Sequence, residues 1–128
     1  MAITTNAICN SFKKELLEGA HKFQAAPNGS TFKLAMFTNG ATLGKSTTGF
    51  ATNPGGGSNT EVTSPSGYTS GGKALVNVGT SVATDTAITD FADLSFTGVT
   101  LTARGALIYN TTTSGGSGTT DAVVVLDF

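Results

Sequence analysis

The sequence predicts a mainly β domain: an antiparallel β-sandwich, or the jelly-roll variant of one, with a single N-terminal α-helix. Two observations carry this. One helical period occurs, and only near the start of the chain. From residue 31 to residue 128, short apolar stretches of strand length alternate with clusters of Gly, Asn, Ser and Thr. The surface is expected to be polar but nearly uncharged: only 12% of the residues are charged, against about 25% in an average soluble domain. With 128 residues, one domain spanning 1–128 is expected, large enough for a core of its own.

The helix is expected over about residues 5–23. Ile8, Phe12 and Leu16 fall at four-residue steps, and Cys9, Leu17 and Ala20 broaden that stripe. Lys14 and Glu18 form an i,i+4 pair on the polar side. Thr4, Thr5 or Asn6 can cap the first turn by accepting a backbone N–H bond. Pro27-Asn-Gly29 ends the segment.

Strands follow. Residues 31–38 alternate, with Phe32, Leu34 and Met36 on one face. Asn39-Gly40 signals a turn and opens a long flexible loop, about residues 39–72, with Pro54-Gly-Gly-Gly-Ser-Asn59 as a tip unable to pack a core. Loops of that length are usually functional or mobile. Thr60–Thr63 is a short candidate strand within it. Lys73–Val78 reads as a strand with both faces partly buried, followed by Ala87–Phe91 and Leu94–Thr102. In the last of these the apolar parity shifts across Gly98, the mark of a bulge or bend. Ala103–Tyr109 continues the sheet, Thr111–Thr120 is a second glycine-rich loop, and Asp121–Phe128 is a strongly apolar final strand. A last strand ending at Phe128 leaves backbone groups open to a further strand or to another subunit.

The chemistry-bearing residues are sparse. The one histidine, His21, suits the helix C-terminus, where a cation favours the dipole. The one cysteine, Cys9, reads as a small buried hydrophobe. With one His and one Cys, a zinc site within the chain is not expected, and Asp85, Asp90 and Asp93 lack calcium-loop spacing. Gly55-Gly-Gly57 and Gly115-Gly-Ser-Gly118 lack the Lys-Ser/Thr of a phosphate loop. Neither catalytic residues nor cofactors nor a metal are expected. The seven Lys and Arg are scattered and the net charge is −1, so nucleic acid is not an expected partner. No apolar run approaches the roughly 20 residues of a membrane span, and residues 1–5 lack a signal-peptide pattern.

Four residues stand out as candidates for a subunit interface: Phe50, Tyr68, Arg104 and Phe128. The two aromatics either fold back onto the core or insert into a partner. Arg104, the only arginine, lies in an apolar strand. It needs a carboxylate, either one of this chain's Asp side chains or one across an interface.

Several stretches together resemble a family of small virion structural proteins of tailed, largely aquatic, bacteriophages. They are Thr4–His21, Thr31–Thr38, Ser66–Leu75, Asp90–Asp93, Leu101-Thr-Ala-Arg-Gly-Ala-Leu-Ile-Tyr-Asn110 and Ala122–Phe128. They span nearly the whole chain in order, and Ala103–Asn110 is the most specific. Family members usually add another Gly/Ser/Thr-rich strand after the Leu-Asp-Phe stretch, from which this sequence departs. The resemblance implies a non-enzymatic virion component, assembled in the host cytoplasm. The leading expectation is a capsid cement or decoration protein, contacting the major capsid protein and associating as a dimer or trimer. A tail, neck or baseplate component and a lectin-like receptor-binding module are the alternatives.

Overall fold

In a computed structural model of the chain, the structure describes residues 3–56, 60–63, 66–112 and 120–128. The chain is mainly β, sandwich-like, with one N-terminal helix. In order, the elements are β1 (Ala7–Ile8), α1 (Asn10–Leu17), β2 (Phe32–Phe37), β3 (Lys73–Leu75), β4 (Asn77–Ala83), β5 (Thr86–Phe91), β6 (Gly105–Asn110) and β7 (Asp121–Asp127). Five form one antiparallel sheet in the order β1-β7-β6-β2-β3, and β4 pairs with β5 in a separate hairpin. The described strands thus divide five and two, not into the two four-stranded sheets of a jelly roll.

The helix is shorter than its sequence period. Residues 7 and 8 are extended and pair with Val125 and Val124, so Thr4, Thr5 and Asn6 cap nothing; Cys9 is the N-cap. At the other end Gly19 takes φ 74°, with Gly19 N–H on Leu16 O (3.2 Å) and Ala20 N–H on Glu15 O (2.9 Å). That pair of bonds is a Schellman stop, and glycine adopts the left-handed residue at least cost. Of the apolar stripe, Cys9, Phe12 and Ala20 are buried, whereas Leu17 is 93% exposed.

β6 is central, and all six of its residues are buried, because both sheet faces are covered. Register places Ala35, Phe37, Leu107 and Tyr109 on one face and Phe32, Met36, Ala106 and Asn110 on the other. The loop after β2 covers the first face. Phe50 stacks on Tyr109 with ring centroids 4.6 Å apart, and Ala41 and Leu43 are buried in the same core. The second face is covered at one end by the helix and the segment after it, where Phe23 stacks on Phe32 at 4.8 Å. At its other end Val62, Tyr68, Phe96, Val99 and Leu101 pack with Met36 and Ala106.

Four expectations are corrected here. The 39–72 segment is a packed layer in its described part, not a flexible loop: Ala41, Leu43, Thr60, Glu61, Val62 and Tyr68 are all buried. Residues 60–62 run beside β2, with Thr38 N–H on Thr60 O (2.8 Å) and Val62 N–H on Met36 O (2.9 Å), extending the edge that β3 begins. Residues 94–102 form no strand; their apolar side chains pack from an irregular segment, with Gly98 at φ 66°. Lys73–Val78 is broken between β3 and β4, and Val76 and Val78 are 62% and 57% exposed. The outer edge of β7 is not open, because β1 pairs there and Cys9 N–H reaches Val123 O at 3.0 Å.

Candidate interaction surface and buried polar clusters

Of the four sequence candidates, the structure brings Arg104 and Phe128 together, with Phe128 N–H on Arg104 O at 3.1 Å, and leaves Phe50 and Tyr68 apart from them. Tyr68 folds inward and is buried: its hydroxyl accepts from Met36 N–H (2.9 Å) and donates to Glu61 Oε1 (2.9 Å). Burial, and then the Glu61 carboxylate beside it, push the Tyr68 hydroxyl well above the ordinary phenol range, against the lowering effect of the Met36 amide. Phe50 also turns inward, half-buried between Phe37 and Tyr109. Arg104 takes the first of its two options and pairs within the chain, donating from one guanidinium nitrogen to Asp127 Oδ1 and to Phe128 O. Phe128 is 62% exposed. Asp85, Asp90 and Asp93 are all exposed, in the β4–β5 turn, on β5 and in the irregular segment after it respectively. Gly55 and Gly56 are exposed at positive φ, whereas Gly57 and the whole of Gly115–Gly118 lie outside the described residues.

Sequence reasoning missed Glu61, the hub of a buried network. Its carboxylate accepts from Tyr68 Oη, Ser70 Oγ (2.9 Å) and Gly71 N–H (2.6 Å), and Tyr109 Oη donates to Gly71 O at 2.5 Å. Burying a carboxylate is tolerable only with donors of this kind. Three donors from residues 68–71 converge because Gly71 and Gly72 both sit at positive φ. A Cβ at Gly72 would lie 2.0 Å from Leu34 O, so only glycine lets the chain pass this close to β2.

A second cluster joins α1, the segment after it and the main sheet. His21 does not sit free at the helix end: its side chain is fully enclosed and Nε2 lies 2.5 Å from Glu15 Oε2. The hydrogen-bond chain fixes the tautomer. Thr112 N–H donates to Asn110 Oδ1 (2.8 Å), so the Asn110 amide NH2 faces His21 Nδ1 at 2.9 Å. Nδ1 therefore accepts, and Nε2–H donates to Glu15. Glu15, His21 and Asp121 are all buried, with one ligand-capable atom of each within 4.8 Å of the others. The nearby Cys9 thiol is pushed up to about 11 by burial and then by the Glu15 carboxylate, which holds it as an unreactive thiol at neutral pH.

Among the described residues, the β4–β5 hairpin holds the longest continuous exposed stretch. Its base is tied down: Asn77 Nδ2 donates to Ser30 O (2.9 Å), and Phe91 packs edge-on to Phe32 at 5.6 Å. Beyond the base, every residue from 80 to 90 is exposed, including Val82 at 74% and Ile88 at 41%. Asp90 is the only charged residue on either strand, and neither strand contains proline or lysine. Those are the residues by which natural edge strands discourage pairing with another chain. The hairpin tip is strained, because Thr84, a β-branched residue, sits at φ 55°.

Comparison with protein-family models, with curated proteins and with solved structures finds no match to the chain.

Proposed function

We propose that this protein is a non-enzymatic structural component of a tailed-phage virion, most readily a cement or decoration protein on the capsid. The observation that carries the reading is the β4–β5 hairpin. An isolated two-stranded hairpin is marginal in water, and this one carries exposed valine and isoleucine on strands almost without charge. Such an arm suits docking against a protein neighbour, where its short side chains lose little rotamer freedom on burial. The body behind it supports the same reading: a sheet covered on both faces, with its polar groups tied into internal networks, is a rigid platform. Repeated on a shell, one weak contact per copy sums to a large collective stabilisation. The resemblance of the Ala103–Asn110 stretch to tailed-phage virion proteins adds the setting, with the major capsid protein as partner and self-association into a dimer or trimer.

The lectin-like alternative is less favoured. The broad groove between residues 4–8 and the 42–49 loop is lined by hydroxyl groups, but its described lining lacks the aromatic platform on which sugars stack.

The test is made on particles. Stripping the protein from the virion should lower resistance to heat and osmotic shock, and adding it back should restore it. Replacing Val82 and Ile88 by Asp should abolish rebinding while leaving the free protein folded. Unchanged particle stability after stripping would refute the cement role. Copy number by gel densitometry separates head from tail: hundreds of copies place it on the shell, a handful in a neck, tail or baseplate.

A further inference from the structure

We propose that Glu15, His21 and Asp121 form a structural site for one divalent transition-metal ion of the zinc class. The inference stands apart from the virion reading, and either can fail alone. The three residues come from different parts of the chain: the helix, the segment beyond its Schellman stop, and the first residue of β7. An ion held by all three would cross-link helix to sheet.

The donor set fits such an ion. One imidazole and two carboxylates suit zinc and its neighbours, whereas calcium and magnesium prefer all-oxygen shells. Two carboxylates also balance a 2+ charge. Donors around a tetrahedral zinc at its usual bond lengths lie about 3.3 Å apart. The observed spread, from the 2.5 Å His–Glu contact to the 4.8 Å limit, brackets that value.

The fit has a stated consequence for the hydrogen-bond chain. As the chain stands, His21 Nε2 carries the ring proton toward Glu15. To bind the ion, Nε2 must offer its lone pair, so the proton moves to Nδ1 with no net change in protonation. The Asn110 amide then turns its oxygen to Nδ1–H, the outer-shell carbonyl contact that metal-bound histidines usually make. Thr112 N–H gives up its 2.8 Å bond to Asn110 in exchange. Metal occupancy would thus be felt at Thr111–Thr112 as well as at the ligands.

The experiment uses the full chain, stripped with a chelator and titrated with Zn2+, with Mg2+ as the hard-ion control. One equivalent of Zn2+ should bind and raise the unfolding temperature; Mg2+ should do neither. Glu15→Gln and Asp121→Asn should each weaken binding by at least about tenfold. The 15N resonances of His21 should exchange identities on zinc addition, Nδ1 becoming the protonated nitrogen. The proposal is overturned if no saturable one-to-one binding occurs, if both variants bind as tightly as the parent, or if zinc binds while His21 stays unmoved. Should the variants not fold, the His21 resonances of the parent protein decide the matter.

Discussion

Removing a single oxygen atom, in Tyr68→Phe, tests the central claim that the 39–72 segment is part of the core. The phenol ring packs in the apolar layer with Met36, Val62 and Phe96, and phenylalanine preserves that packing. Two hydrogen bonds disappear. Met36 N–H loses its acceptor on the stretch of β2 that β3 does not reach, and Glu61 keeps only Ser70 and Gly71 as donors. A buried unsatisfied group costs about 1–3 kcal/mol, and a bond to a charged group contributes about 1.5–3 kcal/mol. The hydroxyl no longer needs desolvation, so we expect a net loss of roughly 3 kcal/mol, or a fall in Tm of about 10 °C at this chain length. Urea unfolding should show a lower midpoint with an unchanged slope. Paired with Glu61→Gln in a double-mutant cycle, the two sites should couple by about 1 kcal/mol or more. The same variant should change the alkaline limb of stability. The Tyr68 hydroxyl is raised in the folded state, so its contribution is complete below the unfolded phenol value of about 10 and is lost as pH rises above it. Phenylalanine removes that part of the slope. A Tyr68→Phe protein within about 0.5 kcal/mol of the parent would refute the reasoning, since surface substitutions have effects of that size.

Other outcomes follow from the same geometry. Thr84→Gly should stabilise the hairpin by up to about 1 kcal/mol, because it relieves a left-handed β-branched residue; thermal unfolding reads this directly. Gly72→Ala should cost about 3 kcal/mol or more, since the methyl group meets the Leu34 carbonyl and its backbone neighbours and φ is +86°. Low soluble yield or a strongly depressed denaturation midpoint would report it. Cys9 should resist iodoacetamide at pH 8 and react only as fast as the protein opens, which mass spectrometry can follow across a urea series.

The class of fold was legible from the residues because alternation and turn chemistry are local: β2, β6 and β7 each carry their own apolar pattern, and register follows from it. The sequence also exposed the inventory of reactive groups. What it could not carry was any property that depends on residues far apart in the chain. The helix period continued through residues 7 and 8, yet their pairing with Val125 and Val124 won, because sheet bonds nearly 120 positions distant outweigh a marginal helical turn. Thr- and Gly-rich residues 39–72 looked featureless, since Glu61 and Tyr68 acquire meaning only when Gly71 and Gly72 bring them against β2. His21 read as a helix-end cation because nothing local announces that Asn110 and Asp121 lie beside it. Tertiary structure alone decided which polar groups are enclosed and which apolar ones, on β4 and β5, are left facing outward. Burial is a property of the whole packed chain.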